Sequence, residues 1–135
     1  FSAAVRAFAR EAGAPLVSIG YRNAWADEQR IARGPEAFAQ TMAGARAVVT
    51  NFFHGCVFSI INRRPFVAAL SGYRTNKVQD LLDRLDLSDR LMTADAGAID
   101  YGRGLSTPPG AATGQRLATL REASENFLDA ALADL

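Results

Sequence analysis

Short, continuously apolar runs alternate with segments of helical period, and that alternation most narrows the folds open to this chain. Leu16-Val17-Ser18-Ile19, Ala47-Val48-Val49-Thr50 and Phe66-Val67-Ala68-Ala69-Leu70 are each too short for a helix and too apolar for a half-exposed strand. Strands covered on both faces read this way, and such strands belong to parallel sheets. The intervening segments carry helical spacing. Phe1, Val5, Phe8 and Ala12 predict a first helix, stopped by Gly13 and Pro15. Pro35 and Glu36 suit the first turn of a second, with Phe38 and Met42 on its inner side. Val57, Phe58 and Ile61 mark a third inner face, and Val78, Leu81, Leu82 and Leu85 a fourth. The expectation is an α/β fold: a parallel sheet with helices on both faces, half of a doubly wound enzyme.

Beyond Leu85 the pattern weakens. Arg90-Leu91-Met92-Thr93 reads as a short edge strand. From Ala94 to Gly114 the glycines at 97, 102, 104 and 110 and the Pro108-Pro109 pair predict a long loop. Gln115 to Leu135 reads as the longest helix, with Leu120, Ser124, Phe127, Ala131 and Leu135 on one stripe.

The 135 residues suffice for one domain with a core. A net charge of +1 with scattered cations gives no nucleic-acid footprint. Cys56 stands alone, so no internal disulfide forms and a reducing compartment is expected. One histidine and one cysteine argue against a zinc site. No apolar run reaches the roughly 18 residues that span a bilayer, so no transmembrane segment is expected. The start at Phe1 reads as that of a fragment or processed piece.

The candidate chemistry gathers where the second strand gives way to a helix. His54, the only histidine, stands at that junction. In an open parallel sheet the carboxyl ends of the strands are where ligands bind, and a helix beginning there turns its positive dipole end toward an anion. Thr50 and Asn51 add small polar groups, and Gly55 leaves room for a ligand or another backbone. An imidazole there suits proton transfer or anion binding; the plainer alternative is a buried histidine satisfied by a carbonyl. Arg74 and Lys77 follow the third strand as His54 follows the second, so both turns open on one edge and these cations can converge on one anionic ligand. Tyr21 and Arg22 follow the first strand and could reach the same edge, though surface placement is the better reading. Ser59 reads as packed or back-bonded, Cys56 as core, Asp27-Glu28 as a solvated pair, and Arg63-Arg64 as a helix-end pair.

The run from Val49 through Thr50, Asn51, Phe52, Phe53, His54, Gly55, Cys56, Val57 and Phe58 to Ser59 resembles the polysaccharide pyruvyl transferase family. So do Arg64-Pro65-Phe66-Val67 and the helix carrying Lys77-Val78, Leu81-Leu82 and Leu85, with Leu87 and Arg90 after it. The likeness spans about residues 46 to 92, and the His-Gly junction is its most specific part. It implies the C-terminal, donor-binding Rossmann-like domain of a two-domain, GT-B-like enzyme, spanning 1–135, whose partner within the same chain would be an N-terminal domain. It also implies transfer of the enolpyruvyl unit of phosphoenolpyruvate to a saccharide acceptor, closing a pyruvate ketal, with no further cofactor and no metal. His54 takes the catalytic place and Lys77 that of the helix-opening lysine. Asn51, Phe53, Gly55 and Arg74 join it as substrate-binding candidates. One branch of the family carries arginine, and others serine, where this chain has Phe52. A cytoplasmic setting follows, with peripheral membrane attachment left open. Two other readings remain: the donor domain of a nucleotide-sugar glycosyltransferase, and a non-catalytic binding module.

Overall fold

A computed structural model describes residues 1–31, 34–69, 75–93 and 95–133. The elements run α1 (Ser2–Glu11), β1 (Val17–Ile19), β2 (Glu28–Arg30), α2 (Pro35–Gly44), β3 (Val48–Thr50) and α3 (Phe53–Ile61). There follow β4 (Phe66–Ala69), α4 (Thr75–Arg84), a 3-10 turn at Ser88–Arg90, β5 (Leu91–Met92), α5 (Ala98–Ser106) and α6 (Ala111–Ala133).

Every strand pairing is parallel. β3, β4 and β5 form one sheet in that order, with Val48 opposite Phe66, Thr50 opposite Ala68 and Ala69 opposite Met92. β1 pairs with β2 in a separate two-stranded sheet, Val17 opposite Glu28. The expected α/β architecture with helices flanking parallel strands is therefore present, in two small sheets. β2 escaped the sequence pattern because Glu28-Gln29-Arg30 carries no apolar signal at all; backbone pairing to β1 alone defines it.

The two faces of β4 explain why its sequence has no polar positions. Phe66 and Ala68 point into a core built with Met42 of α2, Cys56 and Ile60 of α3, and Val78, Leu82 and Leu85 at α4. Val67, between them, points the other way and packs with Val5 of α1 and with Tyr101 and Leu105 of α5. Alternation along a strand divides the side chains between two helical layers, and all three of these residues are fully buried.

α1 ends in a Schellman motif: the Ala14 N–H reaches the Ala9 carbonyl, Gly13 N–H reaches that of Arg10, and Gly13 takes a φ of 59°. α3 ends the same way, with Arg63 rather than glycine in the left-handed position at φ 51°.

Two expectations need correction. Residues 94–114 are not one long loop, because α5 occupies Ala98–Ser106 and α6 already begins at Ala111. The glycines there suggested a loop, yet one of them is a packing residue. A Cβ on Gly104 would stand 2.3 Å from Val67 Cγ1, so its absence lets α5 lie close on the sheet. The first turn is held by Asp100, whose Oδ2 accepts from the Gly97 N–H at 2.9 Å. The second correction concerns α3, whose buried side is Gly55, Cys56, Ser59 and Ile60, leaving Ile61 52% exposed. What α6 packs on was open from the sequence; Phe127, Leu128 and Leu132 stand exposed, away from this core. Leu117, nearer its start, does pack against it. Among the described residues, no helix is long and apolar enough to cross a membrane.

Arg90 ties the second layer together. Its guanidinium is buried and donates from Nη1 to the carbonyls of Gly104 (2.8 Å) and Thr107 (2.6 Å) at the end of α5. A cation at a helix C-terminus satisfies carbonyls left without helical partners and complements the dipole.

Candidate active site

β3 and β4 run parallel and in register, so the helices that follow them, α3 and α4, both begin at the carboxyl edge of one sheet. Asn51 and Phe52 alone connect β3 to α3. The turn is fixed by Thr50, whose Oγ1 accepts from the Phe52 N–H at 3.0 Å. The same side chain fills the space beside Gly55: a Cβ there would sit 2.1 Å from Thr50 Oγ1 and 2.7 Å from Thr50 Cβ. Glycine at 55 is thus explained by the strand residue pressed against it. The close approach expected of a ligand or another backbone is made by the side chain of Thr50.

That contact turns α3 so that Gly55 and Cys56 face inward and His54 faces out. His54 is exposed, its ring meeting that of Phe53 edge to face at 5.8 Å. The buried, carbonyl-satisfied alternative for His54 does not hold. Phe53 is 39% exposed and Asn51 is exposed beside it. Phe52, at the N-cap, has no side-chain oxygen to offer the first turn of α3, so the dipole end there is not neutralised by a capping side chain.

Lys77 lies in the first turn of α4, exposed, on the edge that also carries His54. Arg74 lies outside the described residues. Tyr21 does reach this edge: its ring stacks on Phe52 with centroids 5.4 Å apart and planes 22° from parallel. The sequence put Tyr21 within reach of this edge but favoured a plain surface role; the stack on Phe52 is what it did not disclose.

The remaining candidates take structural roles. Ser59 Oγ donates to the Gly55 carbonyl at 2.7 Å and is fully buried. Cys56 is fully buried, and desolvation pushes its thiol up to about 12. Asp27 accepts from the Leu16 N–H at 2.7 Å and Glu28 pairs with Arg30 at 2.7 Å, so neither is simply solvated. Among the described residues, no three His, Cys, Asp or Glu side chains gather as a metal centre would need.

An exposed imidazole, a helix start and an exposed lysine stand on the carboxyl edge of a parallel sheet, which is where open α/β sheets bind ligands. Residues 7–71, slightly under half the chain, match the family model described as Polysaccharide pyruvyl transferase. The match runs from within α1 through β4 and contains the His54 junction, so this part of the chain is similar to that family. Comparison with curated proteins and with solved structures gives no match.

Proposed function

We propose that this chain forms the donor-side domain of a transferase that moves a pyruvyl group from phosphoenolpyruvate onto a saccharide, closing a pyruvate ketal. The observation that carries the reading is the position of His54: solvent-facing, at the start of α3, within the stretch that matches the family.

Phosphoenolpyruvate brings a phosphate and a carboxylate, and both are favoured near a helix start and a lysine. His54 donates a proton to the methylene carbon, turning it into a methyl group and leaving an oxocarbenium-like centre. A sugar hydroxyl adds to that carbon and gives up its proton to a base. Departure of inorganic phosphate regenerates the cationic centre, and a second hydroxyl closes the ring. The proton lent by His54 is recovered from the hydroxyls, so the sum is phosphoenolpyruvate plus diol giving ketal plus phosphate. Anchoring the donor's anionic groups lets binding energy orient the methylene carbon toward the imidazole.

The test uses the full-length protein with phosphoenolpyruvate and candidate glycans. Mass spectrometry should find a carboxyethylidene unit on the glycan, with one phosphate released per unit. Turnover of a UDP- or GDP-sugar in its place would favour the nucleotide-sugar alternative. Binding without any turnover would favour a non-catalytic module.

A further inference from the structure

Tyr21 is 58% exposed although it is far from loosely attached. Gly20, at φ 77°, turns the chain out of β1, and its N–H donates to the Arg30 carbonyl at 3.1 Å. The nearly buried Ser18 hydroxyl donates to the Tyr21 carbonyl at 2.6 Å and accepts from Asn23 Nδ2 at 2.7 Å. Gln29 in turn clamps Asn23, accepting from its N–H at 3.1 Å and donating to its carbonyl at 2.6 Å. The backbone beneath Tyr21 is therefore fixed on both sides, and Phe52 backs one face of its ring. A loop so heavily bonded, holding a large amphipathic ring in water beside the candidate active site, is organised for contact at low entropic cost.

Phosphoenolpyruvate does not match this surface: it is small and highly anionic, and neither ring carries a cation. A pyranose does. One side of a sugar ring is a flat patch of C–H groups, electron-poor enough to settle on the negative face of an aromatic ring, while its hydroxyls stay solvated at the rim. Phe52 stands two residues before His54, so a sugar resting on Tyr21 lies at the same sheet edge as His54. We propose that Tyr21, backed by Phe52, is the stacking platform for one ring of the saccharide acceptor. This rests on the pyruvyl-transfer reading for the identity of the saccharide, and its test needs no turnover.

The experiment is a titration of the full-length protein with neutral glucose-, galactose- and mannose-containing tri- and tetrasaccharides. It is followed by saturation-transfer NMR and by the Tyr21 ring resonances. At least one saccharide should receive saturation on its ring C–H protons and shift the Tyr21 signals. Tyr21→Phe should keep that affinity. Tyr21→Ala and Tyr21→Leu should weaken it by on the order of tenfold, with phosphoenolpyruvate binding unchanged; Tyr21→Leu keeps apolar bulk but offers no ring face. Thermal melts check that each variant is folded. No shift of the Tyr21 ring by any of these saccharides overturns the proposal, as does wild-type affinity in Tyr21→Leu. Failure of the His54 mechanism shows separately, as undiminished pyruvyl transfer by a His54→Ala protein whose saccharide binding is intact.

Discussion

Gly55→Ala is the substitution whose outcome depends most on the geometry described above. Within a helix the change would ordinarily stabilise by about 1 kcal/mol, because alanine has the higher helix propensity. Here the new methyl would lie 2.1 Å from Thr50 Oγ1, 2.7 Å from Thr50 Cβ and 3.0 Å from Thr50 Cγ2. Carbon and oxygen atoms do not approach so closely, so Thr50 or the first turn of α3 must move. Forced overpacking costs about 1–3 kcal/mol, and an overlap with three atoms of a strand residue belongs at the top of that range. The net expectation is destabilisation by about 2 kcal/mol, or about 8 °C in Tm for a domain of this size. Urea denaturation and thermal melting of the purified domain measure it. Thr50→Ala alone should cost about 1 kcal/mol through the lost hydrogen bond to the Phe52 N–H. The double variant should be more stable than the sum of the two losses, since the second change removes the obstacle to the first. A Gly55→Ala protein as stable as wild type, or more so, would refute the claim that Thr50 occupies the space beside Gly55. Losses that simply add in the double variant would refute it too.

Two further predictions concern buried polar groups. Arg90→Ala should destabilise by about 3 kcal/mol, because it leaves the Gly104 and Thr107 carbonyls without their charged donor; chemical denaturation of the variant checks this. The Cys56 thiol keeps its proton in the folded chain until about pH 12, whereas an ordinary thiol loses it near 9. Between those values the unfolded chain binds fewer protons than the folded one, so stability falls as pH rises through that window. Cys56→Ala should flatten that part of the stability–pH curve, and in the native wild-type protein a thiol reagent at pH 8 should react only at the rate of unfolding.

What the sequence disclosed follows from where each feature is encoded. β1, β3 and β4 were legible as short, mainly apolar runs between helical segments, β4 most clearly because it is buried on both faces, and α1, α2 and α4 because one-sided burial leaves a 3.6-residue period. β2 was invisible because Glu28-Gln29-Arg30 pairs through backbone alone. α5 was hidden by Gly104, which marks tight contact with Val67 and not a loop. At the site, His54 was legible from its singularity and its place after an apolar strand, while Gly55 was noticed for the wrong neighbour. Tyr21 was placed within reach of the edge by its position after a strand, but its stack on a residue from another strand's end has no local signal. Local pattern encodes elements; contacts between loops at a sheet edge are written in tertiary structure.

The central claim is that the His54 imidazole takes part in the chemistry at the sheet edge. The most direct measurement is the rate of phosphoenolpyruvate-dependent pyruvyl transfer by full-length His54→Ala protein whose melting temperature matches wild type. A fall of about 10²-fold or more in turnover is expected if this side chain delivers the proton. Turnover near the wild-type rate would contradict the account.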